Sequence, residues 1–352
     1  MKQLLIFAQF IISLTIYAQP GHFAFFEEQA TLLNPAFCGI VAPMKFTSGY
    51  RTQWQNLNDN YRSYGFMGEA RLKVRPWKQI DSRRGFTFKH NDYGHFAIGL
   101  AVFNNEAGAG QLSDFHSQLT LSSFIQIDAK SIVSLGMYTS YTQRSIQGSK
   151  LIFPDQFSPT GYSSQLPSQE PWKNYTVNFF NLGIGGGWHF NQRQFDDYSH
   201  RYFGSLGASV LSLLSEPSLL SSHQFQQFGI NAIGWFHFPT GKVATVPMIQ
   251  FTKKGSANEF VFGSMFRTYF NEISKYTGLN KQSWFGLGAF LRMKDAAIFR
   301  VQYQHRDQYA MGFGYEVTLS PFQQHIGTGG AIEAFIRYQP PRAFLYQNKV
   351  QE

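Results

Sequence analysis

Cysteine is nearly absent: Cys38 is the only one among 352 residues. That excludes an intramolecular disulfide and a cysteine metal site. No lipobox precedes Cys38, which argues against a lipid anchor there. Charge is also scarce, at 14% of residues against about a quarter in a typical soluble domain. Beyond the N-terminus no apolar run approaches the roughly 20 residues a spanning helix needs. With a mean hydropathy of −0.24, a bundle of membrane helices is excluded. Catalytic patterns are missing as well. There is no G-x-S-x-G elbow. None of the ten histidines falls into H-x-H or H-x-x-x-H spacing, so no metal site is indicated. Gly183-Ile184-Gly185-Gly186-Gly187 has the glycine density of a phosphate loop, but no Lys-Ser/Thr follows and the stretch sits inside an alternating segment, where glycine serves a lumen face or a curved strand. The expectation is therefore a non-enzymatic chain with no cofactor and no nucleic-acid partner.

What is present is an alternation. In Tyr309–Leu319 one face carries Tyr309, Met311, Phe313, Tyr315, Val317 and Leu319, and the other Ala310, Gly312, Gly314, Glu316 and Thr318. Successive strand side chains point to opposite faces. One face is greasy and aromatic, the other small or polar. A sandwich would bury the greasy face against a second sheet; a membrane barrel turns it to lipid. Similar segments recur at about 46–56, 61–72, 95–105, 112–127, 131–146, 174–190, 200–213, 226–238, 243–253, 257–270, 282–293, 296–305, 309–319 and 330–339. Many reach ten residues, the length of a tilted membrane strand of about 9–11 residues rather than a soluble strand of about 5–6. Aromatics at 17% and 32 glycines fit the same reading. The sequence predicts an all-β, antiparallel, up-and-down transmembrane barrel of about 14 strands over 46–339. An even count allows closure without exposed edges.

The N-terminus reads as a cleaved signal peptide over 1–18, with Lys2 charged, Leu4 to Tyr17 apolar and Ala18 last before the cut. Residues 19–45 then form a segment below the barrel or within its lumen, and 340–352 a periplasmic tail. With both barrel ends periplasmic, 147–173, 214–225 and 320–329 become extracellular. The basic stretch with Lys73, Arg75, Lys78, Arg83 and Arg84 becomes periplasmic, either a docking surface or a solvated loop. A net charge of +9 favours acidic partners or anionic surfaces, or simply reflects basic loops. Arg292, Arg300, Glu316, Glu333 and Arg337 fall on lumen-facing positions. They read as a selectivity lining, a docking site for an inserted segment, or an internal ion-pair network, since buried ions need partners. Arg337 and Arg300 are the partners considered for Glu316. Asn34-Pro35 reads as a turn before the first strand. Tyr50 and Trp54 share a face, opposite Arg51 and Gln53, and Trp54 fits an interfacial girdle.

Leu33-Asn34-Pro35-Ala36-Phe37-Cys38-Gly39, followed by Gly49-Tyr50-Arg51-Thr52-Gln53-Trp54, resembles the PorP/SprF family of type IX secretion and gliding proteins of Bacteroidota. Its N-P-A-x-x-G element precedes a first strand ending Y-R-x-Q-W. The stretches from Ala97 to Gly108, Asp155-Gln156-Phe157, and Gly314 to Ser320 are similar to further family elements. Cys38 stands where the family usually has a small residue. The resemblance implies an outer-membrane barrel, in a Gram-negative bacterium, that helps a cognate adhesin or exported protein with a type B C-terminal domain reach and stay on the cell surface. Periplasmic ring and lipoprotein components, and outer-membrane lipid, are the other implied contacts. The rival reading is a porin or small-molecule channel.

Overall fold

The computed structural model describes residues 23–55, 60–72, 96–108, 111–127, 130–159, 161–163, 166, 174–191, 202–217, 224–225, 229–255, 257–270, 283–321 and 329–340. Residues 1–22, the basic stretch with Lys73, Arg75, Lys78, Arg83 and Arg84, and 341–352 lie outside the described residues.

Fourteen antiparallel strands close into one barrel. They are β1 Met44–Gln53, β2 Tyr61–Leu72, β3 Phe96–Ala107, β4 Leu112–Gln126, β5 Ser131–Ile146, β6 Tyr175–Phe190 and β7 Phe203–Leu211. The second half is β8 Gly229–Thr240, β9 Val243–Lys254, β10 Ala257–Tyr269, β11 Trp284–Arg292, β12 Ala296–His305, β13 Tyr309–Thr318 and β14 Gly329–Tyr338. Each strand pairs with its chain neighbours, and β14 closes on β1 with Arg51 opposite Glu333. Both ends of the barrel chain, Met44 and Tyr338, therefore lie at one rim.

The alternation read from the sequence is the inside–outside alternation of the wall. In β13, Tyr309, Met311, Phe313 and Tyr315 are exposed while Ala310, Gly314, Glu316 and Thr318 are buried. Leu100, Leu121, Met137, Ile184, Ile249, Phe266, Leu287, Phe299 and Ile336 extend the outward apolar surface around the circumference. This greatly exceeds the few hundred Å² of a soluble monomer's largest patch and fits lipid contact. Aromatic pairs Tyr309–Tyr338, Trp188–Phe190 and Tyr202–Phe238 gather near the rim holding the barrel termini, as an interfacial girdle does. Phe313 is half exposed (50%) in the middle of β13. Phe313→Arg is expected to cost about 2–4 kcal/mol of folding stability in bilayers. Denaturant unfolding from lipid vesicles measures this, and a variant as stable as wild type would reverse the facing assignment.

The barrel is not hollow. Residues 23–43 lie inside it before the chain enters β1, with Phe25, Ala36, Phe37 and Cys38 all buried. Ala30–Leu33 forms one helical turn and Pro35–Phe37 a 3-10 turn. The core of the molecule is the interface between this segment and the inner wall.

Candidate functional site

The inserted segment is fixed most tightly at Asn34-Pro35-Ala36-Phe37. Asn34 caps the 3-10 turn, its Oδ1 accepting from the Ala36 amide at 2.9 Å, and Pro35 supplies the fixed φ suited to the first helical position. The Asn34 amide nitrogen donates to the Gly186 carbonyl at 3.0 Å. The wall beneath is glycine because nothing larger fits. A Cβ on Gly185 would lie 2.1 Å from Asn34 Oδ1. On Gly136 it would lie 2.4 Å from the Pro35 carbonyl carbon, and on Gly207 2.4 Å from the Phe37 ring. The Gly183–Gly187 run thus forms part of the seat for the inserted turn. Asn34-Pro35, read from sequence as a turn preceding the first strand, is a capped turn buried ten residues upstream of β1, inside the barrel.

Around this seat the segment's backbone is bonded to the wall. Ser122 Oγ donates to the Cys38 carbonyl at 2.8 Å, and Ser209 Oγ donates to the Leu33 carbonyl. Glu69 accepts from Thr31 Oγ1 at 2.7 Å and the Gly39 amide at 2.8 Å, and pairs with Lys45 at 2.8 Å. Gly39 has φ +73°, and a Cβ there would lie 2.5 Å from that of Ala97. Conformation and space both demand glycine. Cys38 is wholly buried, and burial pushes its thiol pKa up. It behaves as a small apolar residue packed over Gly99.

Further along the wall, the lumen charges form two sets. In the first, Glu316 (2% exposed) takes a bidentate bond from Arg51 at 2.6 and 2.9 Å, and two bonds from Arg292 at 3.0 and 3.1 Å. Arg51 also reaches Glu333 at 3.2 Å. Arg51 and Arg292, not Arg337 or Arg300, are therefore the partners of Glu316. The cross-strand register explains this. Arg300 lies opposite Gly314, and Arg51 comes near only because β1 closes onto β14. A register shift between Glu316 and Val317 leaves Gly330 as the extra residue, a bulge beside Glu316 of the kind that re-aims a side chain.

In the second set, wall arginines meet carboxylates of the inserted segment. Arg337 binds Glu28 at 2.7 and 2.8 Å, and Arg300 binds Glu27 at 2.8 Å. Gln302 donates to Glu28 at 2.9 Å, and Gln304 accepts from Arg337. Glu333 accepts from the Ala24 and Phe25 amides. The Arg300 guanidinium sits 3.7 Å from the Phe290 ring centroid, 4.8 Å from Phe26 and 5.2 Å from Phe25, a cation–π cage. Phe25 also packs on Phe335 at 4.6 Å.

Not every motif residue faces the lumen. Tyr50 points outward from β1. Gln53 ends that strand. Trp54 lies one residue beyond it, at φ +56°, and packs against the buried Tyr61 at 6.2 Å. The shared face proposed for Tyr50 and Trp54 fails because the left-handed residue breaks the alternation. Sequence reasoning also missed His189, whose ring nitrogens bond Ser134 at 2.7 Å and Ser205 at 2.9 Å, with Phe37 edge-on at 5.0 Å. All three polar residues are buried, so the trio cross-links β5, β6 and β7 rather than presenting an open nucleophile.

Glu216 anchors a loop after β7. It accepts from Ser212 Oγ at 2.9 Å and pairs with Lys254 at 2.8 Å, while Asn181 Oδ1 accepts from the Leu214 amide at 3.2 Å. Partial burial would raise the Glu216 pKa, but Lys254 and the hydrogen bonds outweigh it and hold the carboxyl below its ordinary value of 4.5. A lowered carboxyl stabilises the docked loop fully above that ordinary value, and the contribution is lost as pH falls through the lowered one. Protection of the Leu214 amide against hydrogen exchange should hold at pH 6 and fall only below about pH 4.5. Glu216→Gln should remove roughly tenfold of that protection at pH 6 and flatten the pH dependence; protection factors read both.

A closed fourteen-stranded barrel with an aromatic, apolar outer wall and its own N-terminal segment in the lumen is a plugged outer-membrane β-barrel. The sequence matches the family model described as Type IX secretion system membrane protein PorP/SprF over residues 16–338. The chain belongs to that family, a component of type IX secretion associated with its machinery in the outer membrane of a Gram-negative bacterium. A comparison with curated proteins returned no match. Among solved structures, BamA from Haemophilus ducreyi lacking POTRA domains 1–3 is similar at 9% identity and TM-score 0.38, covering 84% of this chain and 69% of that one. The NanC porin is similar at 9% identity and TM-score 0.36, covering 84% and 100%. CdiB from Acinetobacter baumannii is similar at 8% identity and TM-score 0.39, covering 84% and 60%.

Proposed function

We propose that this barrel is a non-enzymatic platform for type IX secretion. It supports export and surface attachment of a cognate adhesin or other exported protein with a type B C-terminal domain. Family membership supplies the secretion context. The observation that carries the reading within that context is the filled lumen. Residues 23–43 are fastened to the wall by the Arg337–Glu28, Arg300–Glu27 and Glu69 contacts and by the glycine-seated turn. A conduit for solutes needs an open path, whereas a holder of partner proteins needs a rigid wall and shaped rims. The filled lumen therefore supports holding over conduction. Partners grip through the loops at the rim opposite the barrel termini on one side, and periplasmic ring and lipoprotein components meet the other. The basic residues Lys73, Arg75, Lys78, Arg83 and Arg84 belong to the second contact in this proposal.

Two measurements test it. Tagged barrel purified from outer membranes should bring down a surface protein and secretion components; recovery of neither overturns the reading. Purified barrel in planar bilayers should show no steady large conductance. Steady conductance, with solute uptake impaired on deletion and surface proteins unchanged, would establish a porin instead.

A further inference from the structure

The inserted segment is held in two different ways. From Leu33 to Ile40 it is seated by shape. Asn34 is fully buried with its amide bonded, and Gly136, Gly185 and Gly207 leave room for nothing else. From Ala24 to Glu28 it is held by charge and aromatic contact against β11–β14. The wall's own carboxylates pair with Arg51, Arg292 and Lys45. Among the described residues Arg300 and Arg337 pair with no wall carboxylate; their anions, Glu27 and Glu28, both come from the inserted segment. The fit there is also incomplete. Glu27 Oε1, Gln29 Oε1, Arg300 Nε and Nη2, Gln302 Oε1 and Arg337 Nε are buried without hydrogen-bond partners. Buried polar groups are normally paired, so these orphans weaken the hold of this stretch on the wall.

The geometry points to a peptide-binding site on the β11–β14 wall. It takes an extended segment with two adjacent aromatic residues followed by two carboxylates, and the chain's own Phe25-Phe26-Glu27-Glu28 fills it as an exchangeable latch. Phe290 and Phe335 accept the rings, Arg300 and Arg337 the carboxylates, and Glu333 the backbone amides of Ala24 and Phe25. Gly312 and Gly314 admit the Phe25 ring, since a Cβ on either would lie 2.9 or 3.2 Å from it. A second polypeptide carrying this pattern competes with the latch while the glycine-seated part of the segment stays in place.

The test uses the full chain in nanodiscs and a fluorescent peptide of residues 23–30. A Cβ built on Gly314 lies 3.5 Å from that of Ala24, a separation that suits a disulfide. The protein with Ala24→Cys, Gly314→Cys and Cys38→Ala, oxidised, locks the latch onto the wall. The Glu27→Gln/Glu28→Gln protein weakens the latch and leaves the wall intact. The latch competes at high effective concentration, so the Gln variant should bind the peptide at least tenfold more tightly than wild type. The oxidised lock should bind none, and reduction should restore binding. A peptide with both glutamates changed to glutamine should bind at least tenfold more weakly. Equal binding by the Gln variant and wild type, or saturable binding that the oxidised lock retains, overturns the site. If the cysteine protein does not insert into the bilayer, the wild-type and Gln-variant comparison decides alone.

Discussion

Replacing Glu316 with alanine should lower barrel stability by about 3–5 kcal/mol, the scale for removing one member of a buried ion network. Glu316 accepts four hydrogen bonds from Arg51 and Arg292, both buried. Without it two guanidinium groups face each other across the lumen. Glu333 stays beside Arg51, and Asp295 and Glu259 beside Arg292, but Glu333 already serves two backbone amides, Asp295 lies at the exposed edge and Glu259 comes no closer than 3.7 Å. None of the three replaces a central carboxylate. The same logic makes a combined replacement informative. Arg51→Met, Arg292→Met, Glu316→Leu and Glu333→Gln together remove the central charges as a set, and well-packed apolar substitutes of this kind often recover stability. Denaturant midpoints from lipid vesicles measure both proteins. A single variant within about 0.5 kcal/mol of wild type, the range of ordinary surface substitutions, would mean that the network is bystander chemistry.

The second large effect is steric. Gly185→Val should displace the Asn34–Phe37 turn, because its Cβ would lie 2.1 Å from Asn34 Oδ1 and 3.0 Å from Pro35 Cδ. Asn34 cannot retreat without losing its cap on Ala36 and its bond to the Gly186 carbonyl. Moving the turn also uproots Phe37 from its contacts with His189 and Trp235, at 5.0 and 5.1 Å. The expected loss is about 3–5 kcal/mol, comparable to truncating a buried phenylalanine, together with new conductance through an unblocked lumen. The adjacent residue is the control. A Cβ on Gly186 would have its nearest contact at 3.8 Å, with the outward-facing Leu135 side chain. Gly186→Val should therefore stay within about 0.5 kcal/mol and remain non-conducting. Planar-bilayer recordings and unfolding midpoints separate the pair, and equal behaviour would remove the glycine seat from the account.

The strands were legible because a barrel wall repeats one local rule. The segments read at 61–72, 131–146 and 296–305 match β2, β5 and β12 to the residue. Misjudged ends fall where turns intrude, as at Trp54 with its left-handed backbone and in the segment read as 200–213, where the strand ends at Leu211 before the left-handed Ser212. Glu316, Glu333 and Arg337 were legible as lumen residues by alternation alone. Their partners were not. Alternation gives the face of a side chain but not its neighbour across a tilted, closed sheet, so Arg51 and Glu316, 265 residues apart, could be joined only by closure.

The Asn34-Pro35 motif shows the same division. Its residue types announce a turn, and family resemblance marks it, but neither says that it docks on Gly136, Gly185 and Gly207 from three strands. By itself the sequence determined an all-β wall with a lipid face and a polar face, because side-chain direction in a strand is a local property with period two. Only the tertiary structure decided that the lumen is filled, which charges meet and why the wall glycines stand where they do. Those facts depend on non-local contacts, set by closure, register and the path of residues 23–43.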